Sequence, residues 1–314
     1  MNALNRRDLM VATAAGVLAP TTMFGASAVG ATECLRPGMD WQTMSLAQRN
    51  AAYNNVDQVG ADYARGKAEE WTAASKILRE KRPEHLDIAY GTGERNKWDL
   101  YPASDPAAPC FIHIHGGYWQ RGSKEVFACL AEGALARGWS AALPGYTLAP
   151  ETNLTRILME LRTALDWFEQ HSVEHGIEGP LILTGWSAGG HMTAFLSDHP
   201  NVVAALTISG VFDLAGLRDS PHVNDALKFT EVEVDTLSPM RLPPANKPVS
   251  IAYGTSELPA MIFSSRDYHA YRAEAHLPGD LIPVPRANHM TVLDELRSPD
   301  GLLTRAIMHM AEQV

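Results

Sequence analysis

The sequence predicts an α/β fold in which helices cover both faces of a mostly parallel central sheet. Three observations lead to this prediction. The chain has 314 residues, of which 46% are hydrophobic, enough for one large core. Two strand-like runs at 85–90 and 97–101 flank turn residues at 91–93 and predict an antiparallel hairpin. From Cys110 onwards, short apolar runs alternate with helical segments, as in repeated β-α-β units.

Each predicted element follows from a local pattern of apolar and capping residues. Ser45 begins a helix that runs to Tyr53, and a longer helix is predicted over 63–82. Both precede the first strand, so residues 45–82 form an N-terminal helical extension. After the hairpin, strands are predicted at 110–114, 140–143, 180–184, 203–209, 249–253 and 280–284. Helices are predicted at 124–137, 154–174, 190–197, 264–275 and 302–310.

Residues 210–248 contain many Pro, Asp and Leu residues and no clear strand. Because lids and substrate walls belong above the carboxyl edge of a parallel sheet, this segment is predicted to be a cap-like insertion. No internal repeat, low-complexity tract or linker divides the chain. Residues 32–314 are therefore predicted to be one domain.

The N-terminus has the pattern of an export signal. Arg6 and Arg7 precede a weakly apolar, alanine-rich run over 11–19, and small residues follow. This pattern predicts a twin-arginine-type signal peptide over 1–31 and a periplasmic or secreted protein. An ordinary amphipathic first helix is the alternative, and the protein is then cytoplasmic.

Charge and cysteine usage exclude several classes of partner. The net charge is −10 and there is no basic stripe with interleaved aromatics, so nucleic acid is excluded. No window resembles a transmembrane span, and Glu33 before Cys34 disfavours a lipid anchor.

Three cysteines are too few for a disulfide framework, although one bridge is compatible with export. Cys110 and Cys129 are expected to be small core residues.

A G-x-S-x-G pattern at 185–189 directly follows the predicted strand at 180–184 and leads into a predicted helix. A serine on such a tight turn is exposed above the sheet, and glycine neighbours let strand and helix pack closely. This arrangement is the nucleophile elbow of α/β-hydrolases. Ser187 is therefore the predicted nucleophile.

A nucleophilic serine needs a histidine base and an orienting carboxylate, and in this fold the chain order is nucleophile, acid, histidine. Of twelve histidines, only His289 lies in a loop just after the last predicted strand. Glu257 follows the predicted strand at 249–253 and is the first candidate for the acid. Asp213 is the alternative acid, because some hydrolases take the acid from the preceding loop. Asp267 would lie within a helix and is interpreted as a solvated residue.

An H-G-G motif follows the third predicted strand. In lipases and esterases, the N–H groups of this loop stabilise the negative charge that develops on the substrate oxygen. Gly116, Gly117 and the backbone amide of Ala188 are therefore predicted to form an oxyanion hole.

Three aromatic residues, Tyr118, Trp119 and Trp186, flank the two motifs. They could stack on an aryl or planar substrate, and they could equally be packing around the elbow. Both interpretations stay open at this point.

Two histidines beside the H-G-G motif admit a metal interpretation. His113 and His115 share one face of a strand, as zinc ligands can, with His191 or a carboxylate as a third ligand. No zinc signature supports this arrangement. The favoured interpretation is that His115 braces the oxyanion loop, and neither a metal nor a cofactor is expected.

The chain resembles the kynurenine formamidase (arylformamidase)-like branch of α/β-hydrolases, close to hormone-sensitive-lipase-type esterases. The resemblance covers nearly the whole mature chain and is carried by segments at 53–55, 90–91, 98–101, 114–119, 146–150, 185–191, 254–259 and 288–289. It implies a triad of Ser187, Glu257 and His289, and hydrolysis of an ester or an activated amide such as an N-formyl aryl amine. Some family members have aspartate as the acid of the triad, whereas this chain has Glu257 at that position.

We expect a serine hydrolase that acts on a small-molecule ester or amide without metal or cofactor. Because tryptophan catabolism is cytoplasmic, the export signal favours an exported esterase or amidase over an arylformamidase acting on N-formyl-kynurenine. A non-catalytic binding protein on a hydrolase fold is disfavoured, since such proteins usually lose the serine or the histidine. The sequence is compatible with a homodimer, and it does not identify the physiological substrate.

Overall fold

The computed structural model describes residues 43–313. The predicted signal peptide over 1–31 and Cys34 therefore lie outside the described residues. Eight strands form one sheet in the order β1-β2-β4-β3-β5-β6-β7-β8. The β1–β2 and β2–β4 pairs are antiparallel, and the other five pairs are parallel. The predicted fold class is confirmed.

The strands lie close to where the sequence predicts them. The first is much shorter than the predicted 85–90, because only two of its residues pair with β2. The strands are β1 (Ile88–Ala89), β2 (Lys97–Tyr101), β3 (Cys110–Ile114), β4 (Ser140–Pro144), β5 (Leu181–Trp186), β6 (Val202–Ile208), β7 (Val249–Gly254) and β8 (Leu281–Val284).

The helices connect these strands, and several are shorter than predicted. The α-helices are α1 (Leu46–Ala52), α2 (Asn55–Val59), α3 (Ala61–Lys81), α4 (Lys124–Phe127), α5 (Glu132–Ala136), α6 (Leu154–His171), α7 (Ala188–Leu196), α8 (Ala215–Arg218), α9 (Pro221–Leu227), α10 (Glu231–Leu237), α11 (Pro259–Glu274), α12 (Asp294–Arg297) and α13 (Leu302–Glu312). No helix among the described residues is long and apolar enough to cross a membrane.

Two helix predictions are corrected by the structure. The helix predicted over 124–137 is interrupted by a 3₁₀ segment at Ala128–Ala131. The backbone N–H of Cys129 donates to the hydroxyl of Ser75, at 2.8 Å, and so leaves the α-helical pattern. The helix predicted from 264 begins earlier, at Pro259, a residue suited to the first helical position because it has no N–H to satisfy.

Apolar cores lie on both faces of the sheet, because neighbouring strand residues point to opposite sides. Ile112 belongs to one buried cluster, with Ile157 and Phe195 of α6 and α7. Phe111 belongs to another, with Trp71 of α3. Cys110 and Cys129 are buried free thiols in these cores, and burial raises the pKa of both.

Both segments outside the β-α-β pattern lie beside the carboxyl edge of the sheet. In α3 of the N-terminal helices, Trp71 packs 5.9 Å from Trp186, at the end of β5. The 210–248 segment holds α8, α9, α10 and a 3₁₀ turn at Pro239–Arg241, and none of its residues is in a strand. The N-terminal helices and the 210–248 segment together enclose the space next to the carboxyl end of β5.

Candidate active site

Ser187 stands on the turn between β5 and α7. Its backbone has φ +57° and ψ −118°, a conformation that side chains rarely adopt. The turn is held by the Ser187 N–H, which donates to the carbonyl of Ile208 at 2.9 Å. A Cβ at Gly185 would lie 2.6 Å from the backbone carbon of Gly189, so only glycine permits this close strand–helix approach. The strained, rigid turn is the nucleophile-elbow geometry.

His289 and Glu257 reach Ser187 from the loops that follow β8 and β7. Nε2 of His289 lies 3.0 Å from Oγ of Ser187, and its Nδ1 lies 2.8 Å from Oε2 of Glu257. An ionised carboxylate can only accept, so Nδ1 donates and Nε2 is left to accept the serine proton. All three residues are buried: Ser187 is 6% exposed, His289 2% and Glu257 5%. Three residues far apart in sequence thus form one continuous hydrogen-bond chain.

The carboxylate of Glu257 is fixed by two further donors. The backbone N–H of Gly254 and the hydroxyl of Ser209 each donate to Oε1, both at 2.6 Å. Asp213, the alternative acid, instead pairs with Arg241 at 3.1 Å and leaves 40% of its side chain exposed. Glu257, and not Asp213, is the carboxylate that the structure brings to His289.

The H-G-G loop curves over Ser187 in an unusual backbone conformation. Gly117, Tyr118 and Trp119 all have positive φ, at +119°, +55° and +58°. A Cβ at Gly116 would lie 2.6 Å from the carbonyl oxygen of Trp186 and 3.1 Å from Cβ of Ser187. Only glycine therefore lets the loop backbone lie directly against the elbow.

The backbone N–H groups of the three predicted oxyanion residues have no hydrogen-bond partner among the described residues. Among the hydrogen bonds of residues 43–313, none has the N–H of Gly116, Gly117 or Ala188 as its donor. Ala188 is the first residue of α7, where backbone N–H groups have no partner within the helix. Of the predicted oxyanion residues, Gly116 and Ala188 thus lie next to the serine with unused donors.

His113 in β3 and His115, the residue directly after β3, are engaged within the protein core. Nδ1 of His113 lies 2.8 Å from the hydroxyl of Thr184, and Nδ1 of His115 lies 2.8 Å from the carbonyl of Gly116. Burial lowers the pKa of His113 to about 3 and that of His115 to about 4, so both are neutral. His115 also stacks on Tyr146, with ring centroids 4.3 Å apart. It therefore braces the oxyanion loop.

The described residues contain no group of three or more His, Cys, Asp or Glu side chains arranged to hold a metal ion. His191, the third ligand of the metal interpretation, has its Nε2 at 2.8 Å from the carbonyl of Leu237. The structure thus directs these histidines to separate partners.

The flanking aromatic residues take different positions. Trp186 is packed behind His289, with ring centroids 4.8 Å apart, and its indole N–H donates to the carbonyl of His289 at 2.9 Å. Its other ring neighbours are Trp71 and Phe127. Trp119 and Tyr118 instead line a cavity at Ser187, and Trp186 is not one of its lining residues.

The cavity at Ser187 is narrow and mostly apolar. Its free volume is about 10 Å³, far below the about 230 Å³ of a polar cleft elsewhere on the surface. Its lining comprises Tyr53, Asn55, Tyr118, Trp119, Ser187, Ala188, Val211, Leu217 and Met261. The N-terminal helical segment, the oxyanion loop and the 210–248 segment all contribute to it.

Comparison with known proteins places the chain in a family. A family model described as BD-FAE matches residues 99–225, a range that includes Ser187 and ends before Glu257. Kynurenine formamidase from Salmo salar is 30% identical over 243 residues, which are 72% of this chain and 81% of that protein. This chain belongs to the kynurenine formamidase family. Because its relatives are named as kynurenine formamidases and carboxylic ester hydrolases, this chain is a hydrolase.

Other formamidase-family relatives and solved structures agree with this assignment. Kynurenine formamidase from Danio rerio is 26% identical over 86% of this chain and 98% of its own length. A crystal structure from Silicibacter sp. TM1040, described provisionally as a thioesterase, is 28% identical. It superposes with a TM-score of 0.73 over 82% of this chain and 98% of that one. The α/β-hydrolase fold therefore extends through the described chain.

Sequence reasoning missed several residues of this formamidase-family site. Ser209 was assigned only to a strand, and no local pattern marks it as a partner of Glu257. Asn55 belongs to the Tyr-Asn-Asn segment at 53–55, which carries the family resemblance but does not indicate a role for this residue. Val211 and Leu217 lie in the 210–248 segment, whose contribution to the cavity depends on how it folds over the elbow.

Proposed function

We propose that this kynurenine formamidase-family hydrolase cleaves an ester or activated amide through an acyl-enzyme on Ser187. The observation that carries the proposal is the hydrogen-bond chain from Ser187 through His289 to Glu257, with links of 3.0 Å and 2.8 Å. Such a chain removes the serine proton during attack and returns it to the leaving group.

The catalytic cycle follows from the roles of these three groups. Ser187 Oγ attacks the substrate carbonyl while Nε2 of His289 takes its proton. The buried carboxylate of Glu257 stabilises the imidazolium that forms and holds the ring in position. As the tetrahedral intermediate collapses, His289 passes the proton to the departing alcohol or amine. Water, deprotonated by His289, then attacks the acyl-enzyme and releases the carboxylic acid.

The oxyanion loop supports the same proposal. The N–H groups of Gly116, Gly117 and Ala188 donate no hydrogen bond within the described residues, and we assign them to the negative oxygen of the intermediate. Donors fixed in advance need no reorganisation when charge develops. Losing one such donor typically slows an acyl-transfer enzyme by ~10²–10³.

The cavity supports substrates with a small acyl group. Trp119, Val211 and Met261 are all buried and restrict the space at Ser187. Together with the family, this restriction favours formyl or other short acyl groups on an aryl amine or aryl alcohol. An arylformamidase acting on N-formyl-kynurenine is one such enzyme, and an exported esterase or amidase with small acyl groups is another.

The serine can be tested directly. Ser187→Ala should reduce p-nitrophenyl acetate hydrolysis to background and abolish covalent labelling by a fluorophosphonate probe. Ser197→Ala, at the other end of α7, is the matched control, because its buried hydroxyl bonds only to the carbonyl of Ala194. Circular dichroism of both variants would verify the fold. Retained turnover in Ser187→Ala would overturn the assignment of the nucleophile, whereas a native protein that neither turns over the ester nor is labelled would favour a binding protein.

Export is proposed on the sequence alone. The adjacent arginines Arg6 and Arg7 should direct the folded protein through a twin-arginine pathway. The double substitution R6K/R7K should retain the full-length protein inside bacterial cells, whereas the native chain should reach the periplasm or medium and lose its first segment. Export that is unchanged by R6K/R7K would contradict the proposal.

A further inference from the structure

Two buried polar atoms, in residues that line the cavity, have no hydrogen-bond partner among the described residues. Asn55 is 2% exposed and its Oδ1 accepts no hydrogen bond from the described residues. Trp119 is 1% exposed and its indole Nε1 donates none. Buried polar groups in folded proteins are nearly always satisfied, so each such atom needs an explanation. Both residues line the cavity that contains Ser187.

The orientation of the Asn55 amide is set by its neighbours. Its Nδ2 faces the carbonyl of Tyr53 at 3.4 Å and the hydroxyl of Tyr118 at 3.5 Å. The Tyr118 hydroxyl donates its proton to the Tyr53 carbonyl at 2.6 Å, so its oxygen is an acceptor towards Asn55. Turning the amide over would place Oδ1 against two acceptors. Oδ1 is therefore the acceptor that remains without a donor.

Asn55 is also held at a fixed distance from the oxyanion loop. Its backbone N–H donates to the Tyr118 hydroxyl at 3.3 Å, and Tyr118 directly follows Gly117. Asn54 caps the N-terminus of α2, the helix that begins at Asn55, because its side chain accepts a hydrogen bond from the N–H of Asp57. The buried acceptor is thus part of a rigid wall, and it cannot turn away to find another partner.

Resting on the proposed function, we infer that Asn55 is a specificity residue whose Oδ1 accepts a hydrogen bond from an N–H of the substrate. An ester offers acceptor oxygens to Trp119 but has no donor for Asn55. A secondary amide offers both an acceptor and an N–H. A buried acceptor that a substrate leaves unpaired weakens the binding of that substrate relative to one that pairs it. The site therefore selects small-acyl secondary amides over the corresponding esters.

The inference is tested with three substrates that share a formyl group and a phenyl ring: formanilide, N-methylformanilide and phenyl formate. The native enzyme should prefer formanilide to N-methylformanilide. In Asn55→Leu, which keeps the side-chain volume and removes the acceptor, the ratio of kcat/KM for formanilide to that for either other substrate should fall about 10- to 100-fold. Asn54→Ala is the control, because it loosens the same helix without reaching the cavity, and it should leave these ratios unchanged.

Each other result overturns a particular claim. If Asn55→Leu and Asn54→Ala lower kcat/KM for all three substrates by equal factors, the role of Asn55 is only structural. If the native enzyme turns over phenyl formate but does not discriminate between the two amides, the assignment of Oδ1 is wrong while the serine hydrolase proposal stands. If Ser187→Ala still hydrolyses phenyl formate, the proposed function, hydrolysis through an acyl-enzyme on Ser187, is itself wrong.

Discussion

The hydroxyl of Ser209, at the end of β6, donates a 2.6 Å hydrogen bond to Oε1 of Glu257. Gly254 donates to the same oxygen, so Oε2 is left for Nδ1 of His289. Hydrogen bonds to a carboxylate are stronger than those between neutral groups and fix its orientation. Ser209 is therefore a positioning residue for the acid, although it touches neither the substrate nor Ser187.

Ser209→Ala should lower kcat about tenfold with little change in KM, because the acid is less well oriented but the cavity is intact. Ser209→Cys, which keeps a weak donor of similar size at this residue with φ +50°, should lose less activity than Ser209→Ala. Ser250→Ala is a suitable control, since this buried hydroxyl accepts the N–H of Asp280 and lies away from Glu257. Equal losses in Ser209→Ala and Ser250→Ala would show that Ser209 acts only through stability.

The two candidate acids can be separated by a pair of isosteric substitutions. Glu257→Gln should lower kcat by ~10³–10⁴, because it removes the charge that orients and stabilises the imidazolium. Asp213→Asn should keep kcat/KM within about twofold, since a partly exposed ion pair with Arg241 contributes little. Steady-state kinetics on p-nitrophenyl acetate would measure both. The reverse ranking would make Asp213 the acid.

Trp186 anchors the backbone of the histidine loop through its indole N–H, which donates to the carbonyl of His289. Trp186→Phe keeps the ring packing but leaves that buried carbonyl without this donor, so the free energy of unfolding should fall by about 1–2 kcal/mol. We also expect a several-fold lower kcat. Urea unfolding and kinetics should be compared with Trp167→Phe, where a half-buried ring stacks on His171. A larger loss of stability in Trp167→Phe would contradict this role.

The buried histidines His113, in β3, and His115, directly after it, should make the protein sensitive to acid. The folded state holds the pKa of His113 near 3 and that of His115 near 4, below the usual 6.5. Between about pH 6.5 and 4 the unfolded chain therefore binds more protons than the folded one, and the free energy of unfolding falls as the pH falls. Each histidine contributes up to about 1.4 kcal/mol per pH unit in this window.

Urea unfolding at several pH values between 7 and 5 measures this dependence. His113→Gln should lower the slope of unfolding free energy against pH by about 1 kcal/mol per pH unit. His309→Gln, on the exposed face of the last helix, should leave the slope nearly unchanged. Identical slopes in all three proteins would refute the assignment of acid sensitivity to β3.

Much of the fold could be read from the sequence, because its signals are local. Strand positions follow from apolar runs, and the parallel sheet follows from their alternation with helices. Helix continuity was less predictable. The helix expected over 124–137 breaks where the Cys129 N–H meets Ser75, a residue more than fifty positions away. A competing partner from another helix leaves no trace in the local pattern.

The sequence by itself determined which residues could serve as nucleophile, base and acid, since the motif at Ser187 and the chain order of His289 and Glu257 are one-dimensional signals. Only the tertiary structure decided between Glu257 and Asp213, turned Trp186 towards the histidine loop, and brought Ser209 and Asn55 to the site. Those outcomes depend on side-chain direction and on contacts between distant segments. Hydrogen bonds of 2.6–3.0 Å are formed by folding, and spacing along the chain does not encode them.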